Sequence, residues 1–291
     1  MSDKKAQGKV ISFINMKGGV GKTTLCVGVS EYMAHYMGKK VLLIDLDPQF
    51  NATQTIMDLY DLTDQYMSTY RFTKTIRLLF EETQTVSARP TLPDKKDVIM
   101  NLDEPELIEK NHGKLDIICG TIDLIKDDDS RKSKYKRVRK FIREKALLSE
   151  YDYIMIDCPP TISFFTDSAL YASDYYIVPT RIDRYSILGI NLLKSVVEQA
   201  KFDDDLSIKP LGIIYTSYPT GDKPRPKQQE ILDILKANSD VTEIGLLSHK
   251  LHFLAHLMTG KSGNVASKYV QSRKDIKAIS EEIDNKVQKG R

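Results

Sequence analysis

Eight consecutive residues, Lys17-Gly18-Gly19-Val20-Gly21-Lys22-Thr23-Thr24, combine glycines, two lysines and two hydroxyls. Glycines let backbone N–H groups converge on phosphate oxygens with no Cβ in the way. A helix opening at the end of the segment would add its positive end. Lys22 is then placed to neutralise the β- and γ-phosphates of a nucleoside triphosphate, and Thr23 to give its hydroxyl to Mg²⁺. A glycine turn before a helix is the bland alternative, but it gives no reason for glycines, lysine and hydroxyl all to fall at motif spacing. Asp45, Asp47 and Asp157 each follow an apolar run. Alone, each reads as a helix cap or a turn former; beside a phosphate loop, each is a candidate for orienting water or holding a metal.

Short β-branched or aliphatic runs at 10–14, 41–44, 115–119, 153–156, 175–178, 211–215 and 244–247 must deliver these residues. Several are apolar at consecutive positions, as strands covered on both faces must be. The first run leads straight into the glycine loop. Leu25, Val29, Tyr32, Met33 and Tyr36 then recur at helical steps of three and four. Strands alternating with helices predict a single-domain α/β fold, a mostly parallel twisted sheet flanked by helices on both faces. The domain is expected to span 9–291, after a disordered tail at 1–8. Residues 59–114, interrupted by Pro90, Pro93 and Pro105, read as a surface excursion, and 201–209, with Asp203-Asp204-Asp205, as a solvated loop.

The net charge of +3 gives no strong global field, so binding to nucleic acid or an anionic membrane must be local. Cys26, Cys119 and Cys158 are an odd number at wide spacing, read as free thiols in a reducing cytoplasm. No apolar run approaches the roughly 18–20 residues that span a bilayer. His249, His252 and His256 fall at helical spacing without evident partner ligands, and read as surface or core histidines rather than a metal site.

The loop's second lysine, Lys17, departs from the general Walker A pattern. With Val41-Leu42-Leu43-Ile44-Asp45-Leu46-Asp47-Pro48-Gln49, then Asn51-Ala52-Thr53, and with Tyr151-Asp152-Tyr153-Ile154-Met155-Ile156-Asp157-Cys158-Pro159-Pro160, the chain resembles the deviant Walker A, ParA/MinD family of P-loop NTPases. The Asp-Pro-Gln segment points to the ParA branch. The resemblance implies slow Mg²⁺-dependent ATP hydrolysis, with ATP and Mg²⁺ as cofactors. It implies that Lys17 reaches the partner's phosphates across a homodimer interface formed on ATP binding, where other NTPases use an arginine finger. Asp47 would orient the attacking water, Asp157 would hold Mg²⁺ through water, and Asp45 would support the metal shell or the loop geometry. Thr216, Ser217 and the segment 248–260 lie where the family contacts adenine, although that segment lacks the usual proline and arginine at its start. Tyr175 to Pro179, with Arg181-Ile182-Asp183 and Ser186-Ile187-Leu188-Gly189, matches a further family strand and turn.

Only about ten residues precede the first strand, so the chain resembles the small plasmid-borne type without a helix-turn-helix domain. Family membership implies an ATP dimer that binds DNA non-specifically in the cytoplasm, on the nucleoid, until a centromere-binding adaptor stimulates hydrolysis. Two basic surfaces compete for the DNA. One is 131–145, with nine Lys/Arg and one acid; the other, the candidate set Arg225, Lys227 and Lys250, lies in the C-terminal third with Lys268, Arg273, Lys274 and Lys277. The rival is a membrane-positioning ATPase of the MinD kind. It needs an amphipathic C-terminal anchor, whereas Ile276, Ile279, Ile283 and Val287 form a stripe without bulky side chains and read as a helix packed on the domain. An iron–sulfur protein or a catalytically silent scaffold are further readings; the intact Lys17, Lys22, Thr23, Asp47 and Asp157 speak against the scaffold.

Overall fold

In the strand β1 (Lys9–Phe13) alternate side chains leave for opposite faces: Val10 joins one buried cluster, Ile11 and Phe13 the other. The same division holds in β2 (Lys40–Asp45), where Leu42 and Ile44 oppose Val41 and Leu43, and in β5 (Tyr153–Asp157), where Ile154 and Ile156 oppose Tyr153 and Met155. Two-sided burial is why these runs are almost wholly apolar; Ser12 in β1 is buried with its hydroxyl donating to Ala169 O at 3.3 Å. The computed structural model describes residues 7–81, 91–102, 112–127, 134–260 and 263–290. The tail residues 1–6, Pro90, Pro105, Arg131 and Lys132 lie outside them.

Seven strands run in the order β3-β4-β2-β5-β1-β6-β7, completed by β3 (Met100–Leu102), β4 (Lys114–Ile118), β6 (Tyr175–Thr180) and β7 (Lys209–Tyr215). All pairings are parallel except β3 with β4. One face carries α1 (Lys22–Met37), α2 (Asn51–Leu59) and the C-terminal helix, and the other carries α3 (Arg137–Glu144), α4 (Phe164–Ala172), α5 (Ser186–Asp204), α6 (Pro226–Ala237) and α7 (Ser239–Ile244). The C-terminal helix, α8 (Val270–Lys289), buries Ile276, Ile279, Ile283 and Val287 completely in the core that it shares with α1. None of the described helices is long and apolar enough to cross a membrane.

Three expectations are corrected. The run 244–247 is not a strand: Asn238 caps α7, which holds Ile244, Gly245 turns the chain at φ 81°, and only Leu246 bridges to Ile213. Residues 201–204 extend α5 instead of forming a loop, and Asp204 at its end accepts from Tyr135 Oη at 2.8 Å and pairs with Lys136. Nor is 59–114 only a surface excursion. The amphipathic piece Ile76 to Phe80 buries Ile76, Leu79 and Phe80 in the core, Val98 is buried as well, and β3 closes the sheet edge. The histidines also depart from helical spacing, since 249–252 precede the short helix Ala255–Thr259.

Candidate functional site

β1 lies between β5 and β6, so the chain leaves β1 where the sheet's winding reverses. Crevices at the carboxyl ends of strands form at such switch points. Register aligns Asp157 with both Phe13 and Asp45, which brings the loops after β1, β2 and β5 to one level. They border a cleft of about 1010 Å³ lined by Gly18, Gly19, Val20, Gly21, Lys22, Thr23 and Thr24 on its floor, and by Asp47, Arg181, Thr216, Ser217 and residues 251–254 around it. The loop's shape depends on left-handed residues. Gly19 has φ 70° and Gly21 φ 82°, a conformation costly for residues with a Cβ, and Gly21 caps α1 so that the helix N-terminus faces the cleft.

Lys22 is buried and donates from Nζ to the Lys17 carbonyl at 3.1 Å, across the mouth of the loop. Burial lowers its pKa, opposed by the nearby negative charges of Asp157 and Asp47. Thr23 Oγ1 donates to Asp157 Oδ2 at 2.7 Å, whereas Asp157 Oδ1 is buried with no hydrogen-bond partner. Burial, reinforced by the charge of Asp45, pushes Asp157 well above the usual carboxylate range. An orphaned carboxylate oxygen beside a hydroxyl is a hard-oxygen donor set that fits Mg²⁺, an ion usually held by few protein groups plus phosphate and water. Among the described residues no group of three or more His, Cys, Asp or Glu could hold a metal.

Of the two roles left open for Asp45, metal shell or loop geometry, its hydrogen bonds favour the second. Its Oδ2 accepts from Thr53 N and Oγ1, both at 2.8 Å, and its Oδ1 accepts from Asp47 N at 3.1 Å. The carboxylate therefore shapes the turn between β2 and α2 rather than serving as a ligand. Burial pushes it up to about 7 against the pull of these hydrogen bonds. Asp47 lines the cleft, with Oδ1 accepting from Gln49 N at 2.9 Å, and burial raises its pKa too.

Lys17 does not line this cleft. Its ammonium pairs with Asp183 and lies 5.8 Å from the Tyr185 ring centroid, on the outer side of the loop. Thr216 Oγ1 donates to Val20 O at 2.6 Å and so ties the end of β7 to the phosphate loop, while Ser217 Oγ accepts from Arg181 Nε and Nη2 at 3.2 and 3.1 Å. Of the 248–260 segment, residues 251–254 and 257 line the cleft. His252 bridges Asp275 and Asp222, and His249 pairs with Glu282, so these rings anchor the segment.

Sequence reasoning missed two supports. Asn15 Nδ2 donates to Pro179 O at 2.7 Å and its Oδ1 accepts from Lys17 N, pinning the loop to β6; the signal was a polar residue ending an apolar strand. Arg181 carries a strand-and-turn match in the sequence but no signal that it lines the cleft.

The basic surfaces differ in how far their charge is committed. Around α3, Lys136 pairs with Asp204, Lys140 with Glu144 and Lys145 with Asp94, while Arg137 and Arg139 donate to the Thr91 and Tyr171 carbonyls. Arg225 and Lys227 are outward-facing at the start of α6. Lys250, by contrast, pairs with Asp222 at 2.7 Å and lies 4.0 Å from the Tyr218 ring centroid.

A parallel α/β sheet with a glycine loop and helix N-terminus at its switch point defines a P-loop nucleotide-binding protein. The chain matches the AAA_31 family, an AAA domain, over residues 8–208, and it belongs to that family, whose type is ParA/MinD. It is 32% identical over 212 residues to the sporulation initiation inhibitor protein Soj of Bacillus subtilis, covering 72% of each chain. Identity is 26% over 223 residues to the chromosome-partitioning ATPase Soj of Treponema pallidum, covering 74% of each. A plasmid partition protein from Borrelia burgdorferi B31 solved with AMPPNP superposes with a TM-score of 0.69 at 22% identity, over 98% of this chain and 100% of that one, a likeness that shows the fold.

Proposed function

We propose that the chain is a Mg²⁺-dependent partition ATPase whose ATP-bound homodimer binds DNA non-specifically and is released when a centromere-binding adaptor stimulates hydrolysis. Residues 9–291 act as the ATPase domain, and Gly8, buried with its N donating to Leu148 O at 2.8 Å, joins that domain rather than the preceding tail. The observation that carries the reading is the placement of Lys17: the family's signature lysine stands outside its own cleft. It sits 5.8 Å from the ring centroid of Tyr185, and Tyr185, Leu188 and Leu192, 72%, 68% and 42% accessible, follow one another at helical spacing as an apolar strip suited to a second copy. There Lys17 would meet the partner's triphosphate.

Within each site the loop amides and Lys22 bind the phosphates. Thr23 and Asp157 would hold Mg²⁺, which would supply neutralisation of the phosphate charge. Asp47 positions the water, and Asp45 fixes Asp47 through its backbone N–H. Thr216, Ser217 and Arg181 bound the base side. DNA contact is assigned to Arg225 and Lys227, whose charges are less committed than those around α3, with Lys250 a weaker contributor. The MinD-like membrane reading is disfavoured because the apolar stripe of α8 is spent in the core. The protein then acts in the cytoplasm on the nucleoid.

Binding to unrelated duplex DNA with ATP, ADP or no nucleotide, alongside light scattering for the dimer, tests this. ATP-selective DNA binding by a dimer is expected. Equal DNA binding in all three states, or ATP-dependent binding to anionic vesicles instead, would overturn it.

A further inference from the structure

A second cavity, of about 260 Å³, opens next to the nucleotide cleft and is lined by Phe50, Tyr66, Met67, Phe72 and Ile122, with Arg71 on its rim. Tyr66 and Met67 line both spaces. Phe72, Ile122 and Met67 remain 62%, 58% and 46% exposed, an unusual clustering of large apolar groups at a surface. A π-helical turn, Tyr66–Tyr70, presents Tyr66 and Met67, and such turns recur at functional sites. The volume is below the roughly 300–1,000 Å³ of small-molecule sites, which favours one large side chain as occupant.

The walls are wired to the catalytic turn. Phe50 N donates to Asp47 O at 2.8 Å, and Phe50 itself holds a left-handed φ of 45° at the start of α2. Such strained non-glycine residues cluster at switches. Tyr66 Oη donates to Gly120 O at 2.7 Å, Gly120 N donates to Thr53 Oγ1 at 2.8 Å, and Thr53 Oγ1 donates to Asp45 Oδ2. Gly120 leads directly into Thr121 and Ile122. A Cβ on Gly120 would lie 2.9 Å from Asp45 Cγ and 3.0 Å from Phe50 Cβ, so Gly120 is packed directly between the two.

Charge selects the occupant. The Arg71 guanidinium is stacked over Phe72 at 4.3 Å, and Lys74, on the following residues, lies 5.8 Å from the Tyr70 ring centroid. Both cations lie against aromatic rings, whereas Asp123 on the other wall is already engaged. We propose that this pocket docks a partner protein through a segment carrying a bulky apolar side chain flanked by carboxylates, and that its occupation moves the Asp47 turn. The apolar anchor fills the cavity between Tyr66 and Phe72, the flanking carboxylates meet Arg71 and Lys74, and displacement of Phe50 reaches Asp47. The docking part stands on the pocket alone. The coupling part rests on the proposed ATPase reading.

The test uses the full chain with ¹³C-methyl methionine and isoleucine, titrated with acetyl-Glu-Glu-Phe-Glu-Glu-amide and with the same peptide bearing lysines for glutamates. Saturable shifts of the Met67 and Ile122 methyl signals by the acidic peptide only are expected. Phe72→Ala and Arg71→Ala should each weaken binding about tenfold or more, as loss of an interface anchor does. No saturable shift at these methyls, equal binding of both peptides, or wild-type affinity in both variants overturns docking. Turnover of Mg²⁺-ATP at saturating acidic peptide is read in parallel. A change in the wild type that Phe72→Ala abolishes supports coupling, and binding without change overturns it. A chain with no turnover under any condition would instead sink the ATPase reading while leaving the methyl shifts to decide docking.

Discussion

Lys17 and Asp183 form an ion pair across the outer lip of the phosphate loop, holding the loop's first lysine against its own chain. The pair is partly exposed, 28% and 32%, and so is worth only about 0.2–1 kcal/mol. A latch that weak yields readily to a triphosphate. Asp183→Asn is therefore expected to strengthen ATP-dependent dimerisation about two- to fivefold, measured by light scattering across protein concentrations. Unchanged or weaker dimerisation would show that Asp183 does not restrain Lys17.

Lys17→Ala should bind ATP as a monomer yet fail to dimerise or turn over. Mixed with Asp47→Ala, it should regain part of the activity, because one composite site then joins the intact Asp47 of the first subunit to Lys17 of the second. If mixed dimers form and turnover stays at the sum of the separate variants, Lys17 acts on its own subunit's nucleotide.

Asp47→Ala is expected to keep ATP affinity and dimerisation while turnover falls about 10²–10⁴-fold, the range for a positioned acid–base group. Lys22→Ala should instead lose about 2–5 kcal/mol of ATP binding, since the phosphates lose a buried cation. Calorimetry and phosphate release separate the two; near-normal affinity in Lys22→Ala would remove the loop from the nucleotide site.

The buried acids make a pH prediction. Burial raises Asp45 to about 7 and Asp157 well above the usual carboxylate range, so the folded chain holds these protons more tightly than the unfolded one. Their stabilisation is complete below the unfolded value of about 4 and is lost as pH rises through 7. The nucleotide-free midpoint in urea should thus fall from pH 5 to pH 7.5, and Mg²⁺-ATP should restore it. Asp157→Asn, which removes a buried charge with an unpartnered oxygen, should gain about 1–3 kcal/mol at pH 7.5 and lose the Mg²⁺-ATP effect. A flat or rising midpoint in the wild type would contradict this.

For DNA, Arg225→Glu with Lys227→Glu should weaken ATP-dependent binding and lower the salt-dependence slope by about 0.9 for each phosphate no longer neutralised. Basal turnover should stay. Preserved affinity here, with weaker binding on Arg137→Glu and Lys140→Glu, would move the surface to α3.

The sequence alone determined whatever rests on local chemistry. The glycine, lysine and threonine spacing of the loop specifies a phosphate cradle because left-handed φ at Gly19 and Gly21 is a single-residue property. Largely apolar runs specified the inner strands, because two-sided burial leaves room for a polar side chain only where it finds a partner, as Ser12 and Asp116 do. What depends on partners distant in sequence was decided only by the tertiary structure. Asp45 and Asp157 look alike as strand-end acids, yet Thr53 and Asp47 take up both oxygens of the first while one oxygen of the second is left bare. The run at 244–247 has strand composition, but the capped α7 and Gly245 leave it a single bridge. Lys17's direction, the committed charges around α3, and the pocket between Phe50 and Ile122 arise from segments that only folding brings together, and no periodicity records them.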